Sequence, residues 1–296
     1  EKTVEPGIGQ VVLTLGDGES MPLKRDTNRL IFGGTMLQVR NERGTLVYSK
    51  IKSKEASEKI VYNTLTGPVR ERFQLVLADG TKVFLNSGSE MRYPERFGKA
   101  RREVFLKGEA WFEVAKDSAR EFWVHAGAMD VKVLGTSFNV KAYERLETVA
   151  TTLVEGSVEV ACAGKSFQIV PGEQFVYDKN NRVMDVRMVD TESYVSWKDG
   201  YYKFRQTTLE EIMETLSVWY GLNVFYVNES AKQVEFTGKV KRYEDARMLL
   251  DKFEQTGDVV FDIKGNNVFI TIKQKKPFAR EWNSFLVKAR GMVWQS

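Results

Sequence analysis

The feature that most constrains this chain is a pattern written twice. The stretch FQLVLADGTKVFLNSGS, residues 73–89, alternates hydrophobic and polar positions, breaks at Asp79-Gly80 and resumes alternating. The stretch VVLTLGDGESMPL, residues 11–23, has the same shape around Asp17-Gly18. A period of two puts one face of a strand on a core and the other in solvent. Asp-Gly tolerates the positive φ of a tight turn. Each stretch is a predicted hairpin, with Phe73, Leu75, Leu77, Val83 and Leu85 facing inward in the second.

From Gln10 to about Val186 the same signals recur. Turns are expected at Gly33-Gly34, Glu42-Arg43-Gly44, Phe97-Gly98, Lys107-Gly108, Leu134-Gly135, Glu155-Gly156, Ala163-Gly164 and Pro171-Gly172. Strands broken roughly every 8–12 residues imply a mainly β domain: a sandwich, a barrel or a β-solenoid-like stack. Gly135 lies where a strand must bend or approach another backbone closely. The polar run KSKEASEK makes residues 42–63 read as an exposed loop. RFGKARRE, residues 96–103, reads as a solvated turn. The aromatic residues Phe73, Phe105, Phe112, Phe138 and Phe167 fall on strand phases read as inward, which favours core packing over a sugar-stacking platform.

Near Asp190 the period changes. DTESYVSWKDG predicts a short connecting helix capped by Asp190 or Thr191. Beyond it the order is strand, helix, strand, strand, helix, strand, strand. YYKFRQ, residues 201–206, is the first strand, and Thr208 with Glu211 forms a capping box that opens a helix. Leu209, Ile212, Met213, Leu216 and Tyr220 make one apolar stripe, closed by Gly221. Ala246, Leu249, Leu250 and Phe253 make a second stripe, with Gly257 after it. LNVFYV and VEFTGKV are strands between the helices, and VVFDI and NVFITI close the unit as a hairpin. The chain thus divides into an all-β domain over 1–188, a connector over 189–198, an α+β module of two strand-helix-strand repeats over 199–274, and a tail over 275–296.

Chemistry is sparse. The single histidine, His125, and the single cysteine, Cys162, cannot make a zinc cluster, and Cys162 reads as a small buried hydrophobe. No phosphate-cradling glycine loop and no nucleophile elbow is present. The expectation is a protein that is not an enzyme, with no catalytic residues, no metal and no cofactor. Its 44 basic and 40 acidic residues are too balanced to argue for nucleic acid. No run of about 18 apolar residues exists to span a membrane. The chain starts at Glu1, as a processed or excised piece would.

Taken together, the blocks FQLVLADGTKVFLNSGSEMRYPERF, RREVFLKGEAWFEVAKD, VKVLGTSFNVKAY, TLVEGSVEV and VPGEQFVY resemble the FecR family of sigma-factor regulators of Gram-negative bacteria. SWKDGYYKFRQTTLEEIMETLSVWYGLNVFYV and the segment that follows it resemble the C-terminal module of the Bacteroidetes branch, which is similar to the secretin and TonB short N-terminal fold. The resemblance covers residues 8–273. GPVRER stands where a Pro-Arg-Gly-Gly-like turn would be expected, and the tail has no counterpart.

The resemblance implies the periplasmic sensor portion of a transmembrane anti-sigma factor, whose full-length form sits in the inner membrane. Its implied partners are the signalling domain of a TonB-dependent outer-membrane transporter and, through a cytoplasmic segment absent from this chain, an extracytoplasmic-function sigma factor. The membrane anchor is also absent from this chain. The competing reading is a carbohydrate-binding or cell-surface β-sandwich. The partner is expected on the small module at Val218, Trp219, Phe225 and Val227, large groups that its own stripes leave out. Packing between the two domains would use the same residues.

Overall fold

The computed structural model describes residues 10–23, 29–33, 37–42, 45–50, 60–242 and 245–273. The tail over 275–296 and KSKEASEK lie outside these residues, as do parts of the expected turns at Gly33-Gly34 and Glu42-Arg43-Gly44.

The two Asp-Gly hairpins form, and by the same hydrogen bonds. β1 (Val11–Thr14) pairs with β2 (Ser20–Leu23), and β7 (Phe73–Val76) with β8 (Lys82–Leu85). In each turn the aspartate Oδ1 accepts the amide N–H two residues on at 3.0 Å, from Glu19 in one and Thr81 in the other. Gly18 and Gly80 both hold positive φ, near 90°.

The chain then winds between two sheets. One sheet takes β1, β2, β6 (Tyr62–Thr66) and β9 (Glu90–Pro94). It continues through the hairpins β11 (Phe122–Ala126) with β12 (Met129–Val133) and β15 (Val158–Cys162) with β16 (Lys165–Ile169). The other takes β3 (Arg29–Gly33), β4 (Leu37–Glu42), β5 (Thr45–Lys50), β7 and β8. It continues through β13 (Ser137–Ala142) with β14 (Thr148–Glu155) and β17 (Glu173–Asp178) with β18 (Val183–Met188). Successive hairpins therefore alternate sheets, so the domain is a sandwich wound like a solenoid.

β10 (Arg102–Glu113) belongs to both sheets. Its first half pairs with β9 and β11, its second with β8 and β13. The crossing is at Gly108, where φ is +107° and a Cβ would stand 2.7 Å from the Ser89 Cα. Only glycine fits there. Inward residues of both sheets, including Leu13, Leu75, Val104, Phe112, Val131, Phe138 and Phe175, make one core.

Three expectations are corrected. Thr45–Lys50 is a strand, not part of a loop, because it pairs on both sides, with β4 and β7. Phe105 and Phe167 are half-buried; Phe105 alternates with Val104 and Leu106 and so points out of the sandwich. Arg102 is not solvated. It is fully buried, its guanidinium 2.8 Å from the Asp79 carboxylate and donating to the carbonyls of Ala115 and Arg120. This ion pair ties the second Asp-Gly turn to β10. Gly135 does meet another backbone: a Cβ there would lie 2.8 Å from the Lys116 Cα.

The remainder is α1 (Glu192–Val195), a 3-10 turn over Ser196–Asp199, β19 (Tyr201–Thr208), α2 (Leu209–Tyr220) and β20 (Asn223–Tyr226). After another 3-10 turn over Glu229–Gln233 come β21 (Glu235–Lys241), α3 (Ala246–Glu254), β22 (Val259–Lys264) and β23 (Asn267–Ile272). Asp190, not Thr191, caps the first turn, accepting the Glu192 N–H at 3.3 Å. Thr208 accepts the Glu211 N–H at the start of α2, and Gly221 ends it in the left-handed conformation. Both predicted stripes are buried. β19 pairs with β21, and β20, β23 and β22 form a second small sheet in that order.

Candidate interaction site

The module does not hang free of the sandwich. β10 alternates Ala110 and Phe112 inward with Glu109 and Trp111 outward, and the outward pair is covered. Trp111 packs in one apolar cluster with Trp197, Tyr202, Leu216, Trp219 and Tyr220, and Phe84 and Val154 of the sandwich join it. Val218 packs against Tyr143 and Leu146.

Polar contacts fix the orientation. The helix α2 ends with carbonyls that lack intrahelical partners. The Ser87 hydroxyl shares its one hydrogen between two of them, those of Val218 and Trp219, at 3.3 Å each. Ser87 is itself held: the Tyr143 hydroxyl donates to its carbonyl at 2.8 Å, and its Oγ accepts the Arg70 N–H at 2.8 Å. The guanidinium of Arg242 lies 3.7 Å over the Trp219 ring. Arg72 donates to the Lys198 carbonyl across the joint. Beside these contacts Glu109 is buried, its two carboxylate oxygens accepting from Asn86 at 2.8 Å and Asn139 at 2.9 Å. Burial raises its pKa against the lowering effect of Lys141 and the two amides.

The other side of the module is open. On the β20–β23–β22 sheet, Val224, Val268, Ile270 and Phe261 face the helices. The opposite face carries Phe225, Phe269, Val227 and Val260. Phe225 is 47% exposed, Val227 62% and Val260 40%. The Phe225 and Phe269 rings are register partners and stack at 5.1 Å. Lys264 and Asp262 border them. β20 has one ladder partner, β23, so its other edge is unpaired by strands among the described residues.

The four residues expected to bind a partner therefore separate. Val218 and Trp219 are buried in the joint with the sandwich; Phe225 and Val227 stand on the open face. Ser87, Glu109 and Tyr143 were not singled out from sequence. The available signal was Trp111, a large aromatic on the outward phase of a strand, which a second layer has to cover.

The single histidine and cysteine sit apart in role. Cys162 is buried in register with Met129, and burial pushes its thiol up. His125 shares hydrogen bonds with Asp130 at 2.7 Å and Glu103 at 3.3 Å on the outer face. It belongs to a row of outer-face rings that have cations or one another as neighbours. Arg92 lies 4.1 Å over Tyr62 and 5.1 Å from Phe105, Phe105 stacks on His125 at 4.8 Å, and Lys132 lies 5.6 Å from Trp123. Among the described residues no group of three His, Cys, Asp or Glu side chains could hold a metal ion. No helix among them is long and apolar enough to cross a membrane.

Comparison with known proteins agrees with this two-part build. A family profile described as FecR protein matches residues 62–159, and one described as FecR, C-terminal, matches residues 201–270. Two crystal structures of a candidate anti-sigma factor from Parabacteroides distasonis, at 1.65 and 2.50 Å, are similar to the chain, each at 27% identity and a TM-score of 0.65. The alignments cover 71% and 72% of this chain and 98% and 99% of those. No curated protein matches.

Proposed function

Since this chain carries a FecR domain followed by a FecR C-terminal domain and so belongs to the FecR family, we propose that it is the periplasmic sensor portion of a transmembrane anti-sigma factor. Its outer partner is the signalling domain of a TonB-dependent outer-membrane transporter. Its output is an extracytoplasmic-function sigma factor, reached through a cytoplasmic segment. The small module, read as the secretin and TonB short N-terminal type, receives the partner on its open sheet.

The observation that carries this reading is the open face of Phe225, Phe269, Val227 and Val260 beside a strand edge with no ladder partner among the described residues. Stacked aromatics flanked by aliphatic residues supply an anchor, and the edge of β20 supplies backbone groups for an added strand. The joint supports a relay, because a module wedged on the sandwich through Trp219 and Ser87 moves with it as one piece. A sugar platform has less support: the outer-face rings of Tyr62, Phe105, His125 and Trp123 already have Arg92, Lys132 or one another as neighbours.

The test is calorimetric titration of the intact chain with the transporter's signalling domain. Phe225→Asp and Val227→Asp are expected to lower affinity by roughly a hundredfold, the loss of a hot-spot contact of about 2–3 kcal/mol. Tyr62→Ala and Trp123→Ala, on the outer face of the sandwich, are expected to bind as the parent does. Full affinity in the first pair with loss in the second would move the site to the sandwich.

A further inference from the structure

The joint holds a partly open cavity whose lining groups the joint itself does not use up. Its volume is about 180 Å³, room for a fragment smaller than a drug-sized ligand. The sandwich contributes Glu109, Asn139 and Lys141 to its wall, the connector contributes Trp197, and the module contributes Tyr202 and Glu214.

Two features of that wall ask for a ligand. The first is an unmet hydrogen bond. Tyr202 is 4% exposed, yet among the described residues its hydroxyl has no hydrogen-bond partner, and neither has the Ser193 hydroxyl on α1, which also lines the cavity. A buried hydroxyl without a partner is destabilising, so native structures supply one. The second is charge. Lys141 stands opposite Glu109 in register and its Nζ lies 3.8 Å from Glu214, so two carboxylates share one ammonium. The other cations at the wall are engaged: Arg187 with Glu211 at 3.7 Å, and Lys203 with Asp190 at 3.0 Å. Glu109 accepts one amide N–H at each oxygen and has the Trp197 indole N–H as a further donor, which leaves about one of a carboxylate's four acceptor positions for a ligand.

We propose that this cavity binds a small organic amine, with its ammonium on the Glu109 carboxylate and the Tyr202 hydroxyl and its apolar part against the Trp197 ring. An ammonium brings the missing positive charge and several donors at once. A buried carboxylate beside the phenol favours a cation over a neutral polyol. The walls come from both domains, so an occupied cavity also braces the joint. This site is separate from the open sheet face, and neither reading depends on the other.

The test follows thermal unfolding of the intact chain in n-propylamine hydrochloride and in 1,4-diaminobutane dihydrochloride. n-Propanol and potassium chloride at matched concentration are the controls. A ligand that binds only the native state raises Tm with concentration. Either amine is expected to raise Tm in a saturable way with a Kd of about 1 mM, and the controls are not. Glu109→Gln is expected to weaken amine binding by roughly tenfold, as loss of a charged acceptor does, and Tyr202→Phe by about threefold. The site is overturned if neither amine acts on the parent, which leaves water as the only occupant. It is equally overturned if n-propanol acts as strongly as the amine, or if Glu109→Gln keeps full affinity. Should Glu109→Gln fail to fold, Tyr202→Phe, which removes one oxygen only, decides the matter: undiminished affinity in it overturns the site.

Discussion

Val218 and Trp219 on one side, Phe225 and Val227 on the other, start from the same description: large apolar groups outside the module's own stripes. Their fates differ. The first pair is at most 6% exposed and the second at least 47%. Nothing within the module separates them. What does is a neighbour: Ser87, Tyr143 and Leu146 of the sandwich meet the end of α2, whereas the ring stacked on Phe225 at the outer face of β20 is Phe269 of the same small sheet. Periodicity tells which side chains leave an element's own core. It does not tell which of them another domain will cover.

The largest expected effect breaks the joint. Trp219→Ala removes a buried indole that packs with Trp111 and Trp197 and carries Arg242 on its face. Large-to-small changes of this kind cost about 3–5 kcal/mol. Urea unfolding followed by fluorescence is the measurement. A loss under about 1 kcal/mol would mean that the joint is loose and that the contrast with the open face is one of degree.

An intermediate effect should appear in the pH dependence of stability. Burial raises the folded-state pKa of Glu109 above its ordinary 4.5, so between the two values the folded protein holds a proton that the unfolded chain has released. The Glu109 contribution to stability therefore declines as pH rises from about 4.5 through the folded pKa, and is level above it. Lys141, Glu214, Tyr143 and Tyr202 share its surroundings and remain in the Glu109→Gln variant. The difference in urea midpoint, parent minus variant, is expected to fall from pH 4.5 towards neutrality. A difference that stays flat would mean that Glu109 ionises in the joint as freely as in water.

How much of this was legible in the sequence follows the range of the forces involved. The two Asp-Gly hairpins were, because alternation, an Asx turn and a glycine are all local, and both turns close with matching bonds. The α2 and α3 stripes were legible for the same reason. Arg102 was not. Its charge suggests solvent, and only the fold brings Asp79 and the carbonyls of Ala115 and Arg120 around it. Phe105 lies on the outward phase of β10, which the buried Val104 and Leu106 on either side of it mark even in the sequence. The joint was half legible. Trp111 and Trp219 are each visible as surplus aromatics, but their meeting depends on a pairing across more than 100 residues that no local pattern encodes.

The smallest expected effect lies on the open face, and it sharpens the comparison most. Phe225 is 47% exposed, and its main contact is the stack on Phe269. A half-exposed ring has gained only part of its transfer free energy, and water covers the space left by its removal, so no cavity forms. An aromatic pair adds about 0.5–1.5 kcal/mol beyond area burial, less where solvent competes. Phe225→Ala is therefore expected to cost no more than about 1 kcal/mol, well below Trp219→Ala, and to leave the unfolding slope in urea unchanged. Unfolding of the two variants in parallel gives the ratio directly. Equal losses would mean that the Phe225 ring is part of the module's own framework, and partner binding would then have to be sought elsewhere on the molecule. A small loss leaves two stacked rings and two aliphatic side chains in water that the fold does not require there, which is the condition a docking face has to meet.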